Sequence, residues 1–99
     1  MEIKKGDIVR SEYGRDKQRY FYVVEAEGEF LRIADGMVRK IDDPKKKKSK
    51  HVVFVARPDT RVREKLVSDE RLYDAEIRKS LRQLGFCEDY DGYGKAEDN

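Results

Sequence analysis

The sequence contains a single cysteine, Cys87, and a single histidine, His51. One cysteine excludes a disulfide framework within the chain and is typical of a reducing compartment. The two residues stand 36 positions apart, and together they are too few for a structural zinc site, which takes four ligands. The sequence therefore predicts that no metal is bound.

Long apolar runs are also absent from the sequence. No stretch approaches the roughly 20 apolar residues of a membrane-spanning helix. The opening residues, MEIKKGD, lack the apolar segment of a secretory signal peptide. We therefore expect a cytoplasmic protein with no membrane partner.

Recognisable catalytic motifs are missing as well. The sequence has no phosphate-cradling GxxxxGK motif. Cys87 is followed by two acidic residues, whose negative charge disfavours a nucleophilic thiolate. His51 follows a run of lysines and is better suited to a surface or a phosphate contact than to general-base catalysis. A calcium-loop pattern that starts at Asp89 lacks its final glutamate, because the sequence ends first. These absences predict a protein that is not an enzyme and needs no cofactor.

Charge is what the sequence has in abundance, and it is unevenly distributed. Residues 1–58 hold 15 Lys and Arg against 10 Asp and Glu, a net charge of +5. Residues 59–99 hold 8 against 11, a net charge of −3. Seven basic residues lie between Arg39 and Lys50 alone. A polyanion is therefore attracted to the first part of the chain.

Strand patterns fill residues 1–58, where aromatic and β-branched residues cluster between turn residues. Asp35-Gly36 is typical of a two-residue hairpin turn. Tyr20–Ala26 has apolar residues on both faces, as expected for a central strand. Five short strands in about fifty residues favour a small, strongly bent barrel. The predicted strands are Asp7–Tyr13, Tyr20–Ala26, Phe30–Ala34, Met37–Ile41 and His51–Ala56.

Helical periodicity appears in residues 59–87, which we predict to be a helical extension packed on the barrel or on a partner. Ser68 is the predicted N-cap and Gly85 the predicted C-terminal cap. A short helical turn is also possible around Thr60–Leu66. Residues 88–99 are acidic and glycine-rich, which predicts a flexible tail. The apolar stripe of the main helix is Tyr73, Ile77, Leu81 and Leu84.

The run PKKKKSKH is the clearest functional signal. Adjacent lysines repel one another, whereas a phosphate backbone would gain from them because each contact releases a condensed counterion. The alternative is a solvated loop that keeps the edge of a strand soluble. Charge alone does not distinguish RNA from DNA, and the candidate nucleic-acid-binding residues in and before this run are Arg39, Lys40, Lys45, Lys46, Lys47, Lys48, Lys50 and His51.

The segment GRDKQR is the second signal. Gly14 can adopt a positive φ and allow a close approach of the backbone. Arg15 and Lys17 would project from such a loop, and Arg19 would stand at the entrance of the next strand. Asp16 could brace a neighbouring arginine or the loop amides. An ordinary charged turn is an equally good interpretation of this spacing.

The three aromatic residues Tyr20, Phe21 and Tyr22 have two interpretations. Aromatic rings can stack on the bases of a nucleic acid. More often such residues form the core of a small barrel, and strand alternation turns at least one of the three inward.

Two stretches, GDIVRSEYGRDKQRYFYVV and ADGMVRKIDDPKKKKSKH, resemble the KOW-domain RNA-binding proteins of bacteria. These are similar to a KOW-type protein family of the large ribosomal subunit in archaea and eukaryotes. The resemblance covers about residues 5–56 and implies an SH3-like barrel whose KOW loops contact RNA, here ribosomal RNA or a ribosome-associated complex. Gly14 matches the KOW glycine, Arg15-Asp16-Lys17 match the charged loop, and Arg39-Lys40 and Lys45–His51 match the basic segment. The resemblance therefore adds Gly14, Arg15, Lys17 and Arg19 to the candidate RNA-binding residues. One departure is Gln18, where the family often has glycine.

A second function is consistent with the same resemblance. KOW barrels also resemble domains of transcription elongation factors that contact polymerase or ribosomal proteins. The alternative is therefore a protein-interaction module of the transcription or translation machinery, which would use the barrel or dock the helical stripe on a partner.

Overall fold

The protein folds as one antiparallel sheet followed by two short helices. The computed structural model describes residues 2–87; the acidic tail predicted for residues 88–99 lies outside them. The strands of the described residues are β1 (Ile8–Ser11), β2 (Tyr20–Glu27), β3 (Phe30–Ala34), β4 (Lys45–Lys48) and β5 (Val52–Ala56). A 3-10 helix (Ser49–His51) joins β4 to β5, and the helices are α1 (Arg61–Val67) and α2 (Asp74–Gln83).

The strand order is β4-β3-β2-β1-β5, so the last strand returns to lie beside the first. Within residues 2–87, β4 pairs only with β3 and β5 only with β1, and the sheet is therefore open. The register shifts between Ile8 and Val9 and between Val23 and Glu25. Such irregularities bend a strand. The prediction of a mainly β fold is confirmed at the level of a five-strand sheet with helices.

The central strand β2 is buried on both faces at Phe21, Tyr22 and Val23, as its sequence predicts, and is exposed from Glu25 to Glu27. Phe21 and Val23 pack with Leu31 and Ile33 on one face of the sheet. Tyr22 points to the opposite face and packs with residues of α1 and α2. The helices therefore cover one face of the sheet, and a second apolar cluster lies on the other face.

The predicted fourth strand, Met37–Ile41, is wrong. Asp35 Oδ1 accepts hydrogen bonds from the backbone N–H groups of Met37 and Arg39, each at 2.9 Å. The N–H groups of Asp35 and Gly36 both donate to the Arg39 carbonyl. These local bonds close a turn and use the groups that a strand would offer to its neighbour. The predicted two-residue hairpin is also wrong, since residues 35–44 connect β3 to β4.

The lysine run supplies the missing strand. Lys45–Lys48 pairs antiparallel with β3, with Lys47 opposite Leu31 and Lys45 opposite Ile33. This strand lies at an edge of the sheet, where lysines are common because their charge prevents further pairing. The run is therefore an ordered edge strand, whereas the sequence analysis placed it between two predicted strands.

The boundary between the helices also differs from the prediction. The possible turn around Thr60–Leu66 is the helix α1, where Thr60 Oγ1 accepts from the Arg63 N–H at 3.2 Å. Ser68 was predicted to begin the main helix, but it ends α1, and its N–H donates to the Glu64 carbonyl. Asp69 then takes a φ of 58°, which stops the helix.

Helix α2 keeps the centre of the predicted stripe. Ile77 and Leu81 are fully buried against the sheet, whereas Tyr73 and Leu84 at the helix ends are exposed. Gly85 takes a φ of 84°, and the Phe86 N–H donates to the Leu81 carbonyl at 2.8 Å. This is the hydrogen-bond pattern of a glycine-capped helix end, so the prediction for Gly85 is confirmed.

The hydroxyl of Tyr22 links the sheet to both helices. It lies 2.8 Å from Ser80 Oγ in α2 and 2.9 Å from Oγ1 of Thr60, the N-cap of α1. The Tyr22 side chain is fully buried. Removal of the Tyr22 hydroxyl would leave the buried Ser80 hydroxyl with one hydrogen-bond partner fewer.

We therefore expect Tyr22→Phe to lower the free energy of unfolding by about 1–2 kcal/mol, the usual cost of a buried hydrogen bond whose partner stays behind. Urea unfolding followed by circular dichroism measures this change. The matched control is Tyr13→Phe, since the Tyr13 side chain is 57% exposed. Equal stabilities of the two variants would contradict a structural role for the Tyr22 hydroxyl.

Candidate nucleic-acid interface

The loop between β1 and β2 is a tight turn, and Gly14 adopts the positive φ predicted for it, 80°. The Lys17 N–H donates to the Gly14 carbonyl at 3.2 Å, and the Gln18 N–H donates to the Ser11 carbonyl at 2.6 Å. Gln18 itself takes a φ of 70°. This left-handed backbone costs a residue other than glycine about 1 kcal/mol.

Two ion pairs tie this loop to the turn that follows β3. Asp16 is 4% exposed and accepts from Arg39, with Oδ2 at 3.1 Å from Nε and 3.0 Å from Nη2. The predicted bracing role of Asp16 is thereby confirmed. On the other side, Arg19 Nη2 lies 3.5 Å from Oδ2 of the buried Asp35. Arg39 and Arg19 are therefore held in place at one end of the sheet.

Lys47 connects β4, which we call the lysine strand, to the same β1–β2 loop. Its side chain is 9% exposed, and Nζ donates to the Tyr13 carbonyl at 2.8 Å. Burial lowers the pKa of Lys47, as do the charges of Lys45 and Arg39, while nearby Asp16 opposes the shift. Lys47 was predicted to contact RNA. In the structure it is buried, and its ammonium group binds the Tyr13 carbonyl and so stabilises the β1–β2 loop.

The other lysines of β4 remain at the surface. Lys46 Nζ lies 4.5 Å from the centre of the Phe30 ring, and Lys46 is paired across the sheet with the exposed Arg32. Lys48 shares the face of Lys46, because side chains alternate along a strand. Lys45 is exposed next to Lys47 on the opposite face. The lysine strand therefore presents cations on both faces of one sheet edge.

Several predicted residues converge at the end of the sheet that carries the β1–β2 loop. The exposed Arg15 and Lys17 flank Asp16, which binds Arg39. The exposed Lys45 lies on β4 two residues before Lys47, which binds the Tyr13 carbonyl. His51 reaches the same end, since its ring lies 4.5 Å from the ring of Tyr13. We call this surface the loop end and define it by its exposed or half-buried members, Arg15, Lys17, Arg19, Arg39, Lys45 and His51.

Four exposed predicted lysines lie outside the loop end, and two of them, Lys46 and Lys48, pair with Arg32 and Phe30 further along β4. Lys40 lines a groove beside α2 with Gly36 and Arg78. Lys50 is exposed and borders a hollow that includes Phe54 and Gly28. The structure does not bring any of the four into the loop end.

The aromatic residue best placed for a nucleic acid is Tyr13, which the sequence analysis passed over. Phe21 and Tyr22 are fully buried, and Tyr20 stacks on Phe86 at 4.9 Å. Tyr13 is 57% exposed and leans on His51 directly before Gly14. Its position at the boundary between a strand and a charged glycine loop was the available signal.

Other kinds of site find no support in the described part of the chain. Residues 2–87 contain no group of three His, Cys, Asp or Glu side chains placed to hold a metal ion. No helix in the same residues is long and apolar enough to cross a membrane.

Comparison with known proteins adds no assignment. The chain matches no protein-family model and no curated protein. The function proposed below therefore rests on the geometry of the basic surface.

Proposed function

We propose that the protein binds structured RNA, either ribosomal RNA or a ribosome-associated complex, as a KOW-type domain with an SH3-like barrel architecture in the cytoplasm. The strand order supports this fold, because β5 lies beside β1 as it would in a small barrel of this type, although the sheet itself is open. Gly14 has the backbone conformation that a KOW glycine would need, and Gln18 adopts a similar one without being glycine.

One observation carries the proposal: separate basic segments of the sequence meet at the loop end. Asp16 fixes Arg39 against the β1–β2 loop, and Lys47 fixes the lysine strand to the same loop. Arg15, Lys17 and Lys45 stand there without an ion pair within residues 2–87, and since like charges repel, the ion pairs of the fold do not account for their convergence. A phosphate backbone would offset the repulsion and release its counterions.

The hydrogen bonds and the ion pair that hold the β1–β2 loop also affect the affinity expected for RNA. The loop carries Arg15 and Lys17 on a backbone closed by its own hydrogen bonds. Side chains presented by an ordered loop lose less freedom on binding than those of a mobile segment. The loop end is therefore suited to read the shape of a folded RNA through its phosphates.

The alternative, a protein-interaction module, has less support from the geometry. This alternative requires the helical stripe to be available for a partner, but Ile77 and Leu81 are fully buried against the sheet. A partner would have to displace α2 or use a different surface.

Fluorescence anisotropy across a salt series tests the proposal. We expect the full chain to bind structured fragments of ribosomal RNA more tightly than duplex DNA of equal length. Each phosphate contact should contribute about 0.7–0.9 to the slope of log affinity against log salt. Weak binding that is equal for both nucleic acids would overturn the proposal.

A second prediction concerns base stacking on Tyr13 and does not depend on the charge of the surface. If its ring stacks on an unpaired base, Tyr13→Ala should weaken RNA binding by about tenfold, since a stacked base contributes about 1–3 kcal/mol. Tyr13→Phe retains the ring and should bind like the wild type. Anisotropy with an RNA that contains a loop measures both. Wild-type affinity in Tyr13→Ala would exclude stacking at this position.

A further inference from the structure

Helix α2 carries basic residues that the sequence analysis left without a role. Arg78, Lys79 and Arg82 recur at the spacing of one helix face, next to the buried stripe of the same helix. Together with Lys40 they line a groove of about 450 Å³ between α2 and the turn after β3. We call it the helix groove; its other lining residues are Gly36, Met37 and Ala75.

Among residues 2–87, no acidic side chain lines the helix groove. The two acids of α2 are engaged elsewhere: Asp74 Oδ1 accepts from the Ile41 N–H at 2.7 Å, and Glu76 Oε1 lies 2.6 Å from Lys65 Nζ. Within residues 2–87, no acid forms an ion pair with the basic residues of the groove. The groove is therefore a concave surface of one charge sign.

Both walls of the groove are fixed. Arg78 Nη1 donates to the Gly36 carbonyl at 2.7 Å, which joins the turn to the middle of α2. The bond from Ile41 to Asp74 joins the end of the same turn to the start of the helix. A ligand in the groove would therefore meet cations that are already positioned.

We propose that the helix groove is a second phosphate-contact site for the RNA that binds the loop end. The inference rests on the proposed function and deepens it. The turn after β3 borders both surfaces: Arg39 joins Asp16 at the loop end, and the adjacent Lys40 lines the groove. The arginine guanidinium suits the geometry of phosphate oxygens, and a cluster of such groups favours a backbone that carries several phosphates.

The double substitution Lys79→Ser/Arg82→Ser tests the inference. Both side chains are exposed, and the bond from Arg78 to Gly36 is left in place. The matched control, Lys4→Ser/Arg71→Ser, removes two exposed cations that do not line the groove. Anisotropy with structured ribosomal RNA, over a salt series, compares these two variants with the wild type.

We expect the groove variant to lose about 1.4–1.8 units of salt slope and to bind about tenfold more weakly at low salt, as two lost phosphate contacts would cause. The control should keep a slope near that of the wild type. In a second readout, RNA should shift the backbone amide resonances of residues 75–82 in the wild-type protein.

The outcomes separate this inference from the proposed function. RNA binding with the same slope in the groove variant and the control, and no amide shifts in α2, would overturn the groove alone. Failure of the wild type to prefer RNA would overturn the proposed function and the groove together.

Discussion

Gly36→Ala should lower the free energy of unfolding by about 3 kcal/mol, through backbone strain and overpacking together. Gly36 has a φ of 80°, where a side chain is strained. A methyl group built on it would overlap the main-chain carbonyl oxygen of Asp74 and would lie 3.1 Å from Cγ of Arg78. Because helix backbone cannot move aside as a flexible side chain can, the turn would have to leave α2.

Gly28→Ala is the matched control for this prediction. Gly28 also has a positive φ, 61°, but no atom lies within 4 Å of the methyl group that alanine would add. Its cost should be the backbone strain alone, about 1 kcal/mol. Urea unfolding measures both variants. If the two lose the same stability, the turn is not held tightly against α2.

Gly36 also shows why the sequence alone misplaced the fourth strand. Asp35-Gly36 is a frequent hairpin pair, and the apolar Met37, Val38 and Ile41 follow it as a returning strand would. The deciding contacts are the hydrogen bonds from Met37 and Arg39 to the Asp35 carboxylate and the docking of Gly36 on α2. The docking of Gly36 on α2 joins residues that are more than thirty positions apart in the sequence. A pattern of neighbouring residues contains no information about such a contact.

The elements that were predicted correctly depend on local physics. β2 combines aromatic and β-branched residues with burial on both faces, and Gly85 supplies the left-handed cap that ends α2. Ser68 was misassigned because a serine followed by acids is typical of a helix start. Here Leu66 anchors the preceding helix in the core, and that packing decides the boundary.

At the candidate site, the sequence could indicate a lysine cluster but could not distinguish its members. Lys47 differs from Lys46 and Lys48 only by its register opposite Leu31, which turns it toward the Tyr13 carbonyl. A single-residue shift in register would have buried a different lysine. The four lysines are equivalent in the sequence, but their places in the sheet differ. Lys47 stabilises the β1–β2 loop, and the other three lysines are exposed to solvent.

This separation allows a sharper test of the lysine strand than removal of all four lysines. In Lys45→Ser/Lys46→Ser/Lys48→Ser, the exposed cations are lost while Lys47 continues to hold the β1–β2 loop. We expect the salt slope of RNA binding to fall by about two to three units, because three phosphate contacts would be lost. The loop should keep its structure, so the change reports phosphate contact and not unfolding.

The matched control removes the same charge elsewhere, as Lys4→Ser/Arg61→Ser/Arg71→Ser. These three cations are exposed and lie outside the lysine strand, so their loss lowers the net charge equally but should leave most of the slope. Long-range attraction is largely screened beyond about 8 Å at physiological salt, whereas a direct contact still releases its counterion. Equal slopes for the two variants would mean that the lysines only keep the edge of the sheet soluble, and RNA contact would then have to lie outside the lysine strand.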